Sequence, residues 1–120
     1  MTKRILVVDD DESIRTLFEC VTEDLGLHCV TASDGDEALK KFKEAGDIGL
    51  VFLDIKMPRV NGIEALQQIR HYDPDVPVTV MTGFSVDDLV IEAKNLGAQD
   101  VLYKPFDVDT LEALIHRWIG

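Results

Sequence analysis

Apolar runs alternate with helical periodicity five times along the chain. Residues 4–8, RILVV, are continuous and rich in β-branched side chains, the pattern of a strand buried on both faces. Ile14, Leu17, Phe18, Val21 and Leu25 then recur at the spacing of one helical stripe, and Gly26 is placed to end the helix. HCVTA at 28–32 predicts a second strand. The segment 34–46 carries Ala38, Leu39 and Phe42 on one helical face and stops at Gly46. LVFLD at 50–54 is the most apolar strand, and it ends in an aspartate. A third helix is predicted over 61–72, with Ile63, Leu66 and Ile69 inward. VTVMT at 78–82, a helix over 86–96 ended by Gly97, and DVLY at 100–103 follow. Asp107 caps a last helix whose stripe is Val108, Leu111, Leu114, Ile115 and Trp118.

That pattern is (βα)5, an α/β chain with no linker, repeat or low-complexity tract, read as one domain over 1–120. Strict alternation implies a doubly wound parallel sheet of five strands with helices on both faces. Ligands of such sheets bind beyond the carboxyl ends of the strands, where the strand order reverses. The first strand ends at Asp9 and Asp10, the third at Asp54, the fourth at Thr82 and the fifth at Lys104. Topology alone therefore delivers five polar side chains, distant in sequence, to one rim.

Charge sharpens the picture. With 23 acidic and 12 basic residues the net charge is −11, which argues against direct nucleic-acid binding and against docking on anionic membranes. Cys20 and Cys29 lack metal-ligand spacing and read as reduced thiols of a cytoplasmic protein. No leader and no apolar run of about 20 residues is seen. His28, His71 and His116 are scattered over different elements and read as ordinary side chains. A cluster of negative charge at 9–12, DDDE, is kept in proteins where something positive sits against it. A lone aspartate at a strand end is usually a turn or cap residue, and Asp11 is read as the cap of the first helix, with Glu12 at its positive end. The joint occurrence of Asp9, Asp10, Asp54, Thr82 and Lys104 is what lifts them above that reading.

The segments VVDDDES, FLDIKMPRVNG, VMTG and YKPF, in that order and at fitting separations, resemble the signature segments of bacterial response-regulator receiver domains. The resemblance covers the whole chain. It implies the flavodoxin-like receiver fold with strand order 2-1-3-4-5, as in chemotaxis regulators. It implies Asp54 as phosphoacceptor, with Mg²⁺, or Mn²⁺ in its place, held by Asp10, Asp54, the backbone carbonyl of Lys56 and, through water, Asp9. Thr82 would hydrogen-bond a phosphoryl oxygen, Lys104 would pair with the carboxylate and then with the phosphoryl group, and the Lys104–Pro105 bond would be cis. The chemistry is consistent with those roles. Mg²⁺ prefers one or two carboxylates plus phosphate and water, and phosphoryl transfer needs mainly positioning and charge neutralisation.

The resemblance further implies a two-component or phosphorelay role: phosphorylation by a partner histidine kinase or histidine phosphotransfer protein, then a shift of the face made by helix four, strand five and helix five. That face would address an output domain or protein, or a second copy in a phosphorylation-dependent homodimer. The family's aromatic switch residue lies three positions before the lysine. Here that position is Val101, so Tyr103 on the same strand face, or Phe84 beyond Thr82, is read as a substitute, with a core-packed Tyr103 as the alternative. Lys56 and Phe84 would flank the path of an attacking water and slow dephosphorylation. Kinase docking is expected near Ser13, Ile14, Thr16 and Leu17 and on the loop after strand five. The chain fits a free-standing receiver, similar to those of sporulation phosphorelays, or the receiver of a longer regulator.

Two other functions compete. A Mg²⁺-dependent aspartyl-phosphate phosphohydrolase of the haloacid-dehalogenase kind would carry a second aspartate two residues after the nucleophile, where this chain has Lys56. An unphosphorylated scaffold would not need the acid pair, Thr82 and Lys104. A flavodoxin is disfavoured because its phosphate loop after the first strand is neutral and hydroxyl-rich, whereas this one is DDDES. The chain is thus expected to be a switch that catalyses only its own phosphoryl transfer and dephosphorylation, not an enzyme acting on small substrates.

Overall fold

The computed structural model describes residues 3–55, 62–83 and 87–119. Ten elements alternate strictly: β1 (Arg4–Val8), α1 (Glu12–Asp24), β2 (Cys29–Ala32), α2 (Gly35–Ala45), β3 (Ile48–Asp54), α3 (Gly62–Tyr72), β4 (Val78–Thr82), α4 (Asp87–Asn95), β5 (Asp100–Tyr103) and α5 (Val108–Ile119). The five strands form one parallel sheet in the order β2-β1-β3-β4-β5. The order reverses between β1 and β3, because the chain leaves β1 for one edge and returns on its other side.

Strand alternation sorts the core into two layers. Leu6, Val8, Val51, Leu53, Val78 and Val80 pack with Phe42, Leu66 and Ile69 of α2 and α3. On the opposite face Ile5, Val7, Leu50, Phe52 and Met81 pack with Phe18 of α1 and with Leu111 and Ile115 of α5. The Phe18 and Phe52 rings meet with centroids 4.8 Å apart. Each such fully buried side chain contributes about 1.5–3 kcal/mol of transfer free energy. β1, β3 and β4 are therefore clamped from both sides, and their carboxyl ends are fixed points.

Local signals start and end the helices. Asp11 accepts from the Ser13 amide at 2.9 Å, Asp34 from the Glu37 amide at 2.8 Å and Asp107 from the Thr110 amide at 2.7 Å, each capping the helix that follows. Gly46 closes α2 in the left-handed region, at φ 72°. β3 starts two residues earlier than the apolar run suggests. Ile48 pairs with Arg4, and the register shifts between Arg4 and Ile5, so Gly49 sits in an irregularity that breaks the apolar pattern without ending the strand.

Candidate acidic phosphorylation site

Four strand ends build the site. β1 delivers Asp9 one residue beyond its last ladder position, β3 ends on Asp54, β4 ends on Thr82, and Lys104 follows β5. Thr82 is in register with Tyr103, and its carbonyl accepts the Lys104 amide at 2.8 Å, which carries the lysine past the sheet edge toward the centre. The Lys104–Pro105 peptide bond is cis. The Lys104 ammonium then reaches two carboxylates at once: Asp9 at 2.7 Å and Asp54 at 3.2 Å. Asp9, Asp54 and Thr82 are buried, whereas Asp10 is exposed.

The start of α3 is pressed against the same place. The Gly62 amide donates to the Ile55 carbonyl at 3.3 Å. A Cβ on Gly62 would overlap the Asp54 carbonyl oxygen and the Ile55 Cα, so only glycine fits beside the end of β3.

Electrostatics follow from burial and pairing. Desolvation raises the Asp9 carboxyl above the usual carboxylate range, opposed by its hydrogen bond with Lys104. Burial alone would pull the Lys104 ammonium down, but its hydrogen bond to Asp9 and the charge of Asp54 outweigh that and hold it above its ordinary value. The Ser13 hydroxyl and amide lower Asp11, which makes it a cap acceptor turned to its own helix.

Oxygens of Asp9, Asp10 and Asp54 all lie within 4.8 Å of one another. The donor set is three carboxylates with no sulfur or imidazole, which suits a hard divalent cation such as Mg²⁺. With all three ionised and Lys104 protonated, the local charge is −3 + 1 = −2, the complement of a dication.

The structure thus brings Asp9, Asp10, Asp54 and Lys104 together, with Thr82 at the end of the adjacent strand. Lys56 and Phe84 lie outside the described residues, and with them the Lys56 carbonyl and the shielding role read from sequence. Val101 is half-buried against the α2–α4 layer. Tyr103 is not core-packed: half of its surface is exposed. On α1, Ser13 and Thr16 are exposed, but Ile14 and Leu17 are half-buried against the α1–α5 layer, because they belong to the stripe that seats the helix. Sequence reasoning missed two features of the site. Asp9 is the nearer partner of Lys104, and Arg15 donates to the Asp9 main-chain carbonyl at 2.7 Å. A basic residue six positions after Asp9 was the available signal for the second.

The chain is similar to known proteins in sequence and in fold. The family model "Response regulator receiver domain" matches residues 5–116. The chain is 41% identical over 117 residues to the transcriptional regulatory protein ZraR of Klebsiella oxytoca, covering 93% of this chain and 26% of ZraR. It is 39% identical over 115 residues to the alkaline phosphatase synthesis transcriptional regulatory protein PhoP of Bacillus subtilis, covering 96% of this chain and 48% of PhoP. The chain therefore spans less than half the length of these two relatives. Among solved structures, the chemotaxis protein CheY4 of Vibrio cholerae superposes with a TM-score of 0.91 at 31% identity, covering 98% of this chain and 99% of that one. The receiver domain of NtrX from Brucella abortus superposes with a TM-score of 0.87 at 36% identity, covering 94% and 95%. With five parallel strands in the order 2-1-3-4-5, the flavodoxin-like receiver fold of the chemotaxis proteins, and a family match over nearly its whole length, the chain belongs to the response-regulator receiver domains.

Proposed function

We propose that this domain is a phosphoacceptor of two-component or phosphorelay signalling that takes a phosphoryl group onto Asp54 from a histidine kinase or histidine phosphotransfer protein. The observation that carries the reading is the bridging of Asp9 and Asp54 by the Lys104 ammonium within a cluster of three carboxylates. One Asp54 oxygen attacks phosphorus as the bond from phosphorus to the donor imidazole nitrogen breaks; the nitrogen keeps the electron pair and takes up a proton. Lys104 sits where it can hold the carboxylate in line and then pair with the new phosphoryl charge. Thr82, at the end of β4, is the hydroxyl donor for a phosphoryl oxygen. Asp9, Asp10 and Asp54 would hold Mg²⁺, or Mn²⁺ in its place, with the Lys56 carbonyl as a further ligand; when bound, the ion supplies charge neutralisation for the transferring group.

The output face is proposed to be α4, β5 and α5. It carries three of the four large exposed apolar side chains among the described residues: Ile91, Tyr103 and Val108. Such a patch marks a surface that is covered on demand, by an output domain or protein or by a second copy. The −11 charge favours protein rather than nucleic acid as its direct contact. Among the described residues no helix is long and apolar enough to cross a membrane. The domain acts as a switch and turns over only its own phosphoryl group.

Intact-mass measurement after incubation with a small phosphodonor tests the assignment. One phosphoryl mass is expected on the wild type with Mg²⁺, and none without metal or on Asp54→Ala. Labelling of Asp54→Ala to the same extent would move the acceptor elsewhere.

A further inference from the structure

Asp10 is the least supported of the three carboxylates. It is exposed, and no hydrogen bond or ion pair among the described residues holds its side chain. Its direction must therefore come from the backbone on either side. The peptide plane after Asp10 is pinned because the Asp11 amide donates to Asp9 Oδ1 at 2.9 Å. The plane before it is pinned because the Asp9 carbonyl accepts from the Arg15 guanidinium at 2.7 Å. β1 ends at Val8, so that carbonyl lies beyond the ladder, and no main-chain amide among the described residues donates to it. Arg15 is itself fixed in the first turn of α1, its amide donating to the Asp11 carbonyl at 3.2 Å. A carbonyl of a buried residue that loses its donor turns to find another, and Asp10 turns with it.

We infer that Arg15 is a positioning residue that aims Asp10 into the acidic site and so sets its affinity for a divalent cation. The inference rests on reading Asp9, Asp10 and Asp54 as a cation site. Two effects of Arg15 on that affinity have opposite signs. A guanidinium beside the carboxylates repels a dication, so loss of its charge alone tightens binding. Loss of a group that orients a metal ligand weakens binding, by about tenfold or more in other metal sites. The sign of the change separates the two.

The test is Mg²⁺ titration by calorimetry on the full chain at fixed ionic strength, with wild type, Arg15→Met and Arg15→Lys, beside thermal melts. Arg15→Met keeps the apolar stem and removes charge and donors; its Kd for Mg²⁺ is expected to rise about tenfold. Arg15→Lys keeps the charge but replaces the planar fork with a shorter point donor, and its Kd is expected to fall between the other two. Faster amide exchange at Asp11 in both variants, read by NMR without metal, is the matching sign of a released loop. An Arg15→Met protein that binds Mg²⁺ as tightly as wild type, or more tightly, overturns the inference. Should that variant not fold, equal affinity of Arg15→Lys and wild type overturns it instead. A wild type that binds no Mg²⁺ removes the cation site itself, an outcome distinct from either.

Discussion

Asp9 and Asp10 are adjacent in the chain and face opposite environments, one sealed beneath Lys104 and the other open to solvent. The step from strand to loop separates them: the Asp9 amide still donates to the Ala32 carbonyl of β2 at 3.1 Å, whereas Asp10 stands in the loop beyond. The two cysteines diverge in the same way. Cys20 is exposed on α1, whereas Cys29 is half-buried at the start of β2, and neither is in a disulfide. Burial first, and the charge of Glu19 second, push the Cys29 thiol up to about 12. At pH 9 a free thiol of the ordinary value 9.0 is half ionised, and one at about 12 is ionised to about one part in a thousand. The folded state thus keeps a proton that the unfolded chain releases. The stability this gives is complete below 9.0 and is lost as pH rises toward about 12. Iodoacetamide at pH 9 is expected to modify Cys20 and spare Cys29 until urea is added, read by peptide mass. Equal labelling of both in the folded protein would contradict the burial argument.

Elements depend on ties that cross between them, and among the described residues Arg70 makes the densest of these. All five of its N–H donors have acceptors: Nε meets the Leu96 carbonyl at 3.3 Å, Nη1 the Pro74 and Val76 carbonyls, and Nη2 the Gly97 carbonyl at 2.7 Å and Gln99 Oε1 at 3.1 Å. Gln99 Oε1 also accepts the Val78 amide at 2.8 Å. One side chain thereby joins the end of α3, the entry to β4 and the turn from α4 to β5. Arg70→Lys keeps the charge but cannot span these acceptors, and it is expected to cost about 2 kcal/mol, read from the urea midpoint. A loss under about 0.5 kcal/mol, the scale of an ordinary surface change, would show that the ties are incidental. The sequence does not announce Arg70, because four of its five acceptors are main-chain carbonyls that carry no residue identity. The Asp9–Lys104 pair was hidden for another reason: topology predicts that both reach one rim, but not which carboxylate the ammonium favours. What could be read was whatever repeats with a period or sits at a strand end. All ten elements, the caps at Asp11 and Asp107 and the convergence of Asp9, Asp10, Asp54 and Lys104 are of that kind. Tyr103 escaped because strand alternation assigns a face and not a depth, and an edge-strand face can be open to water.

At the scale of the whole molecule, the acidic site is a local excess on a chain that is already −11. Three carboxylates held within 4.8 Å repel one another in the folded state, and the single Lys104 ammonium offsets only part of that repulsion. A dication that binds only the folded site reverses that balance by mass action. At ten times its Kd, Mg²⁺ is expected to add about 1.4 kcal/mol, which for a chain of this length raises Tm by about 5 °C. General screening of the −11 charge also stabilises, and it must be separated from site binding. NaCl matched to the ionic strength of the MgCl₂ supplies the same Debye length without the divalent charge. It is expected to give a small shift that is the same in wild type and in Asp10→Ala. Mg²⁺ is expected to give the large shift in wild type, and most of that shift is expected to vanish in Asp10→Ala, which keeps the Asp9–Lys104–Asp54 bridge but removes one of the three donors. If matched NaCl reproduces the Mg²⁺ shift, or if Asp10→Ala retains it, the stabilisation belongs to the overall charge. The three carboxylates would then hold no ion of their own.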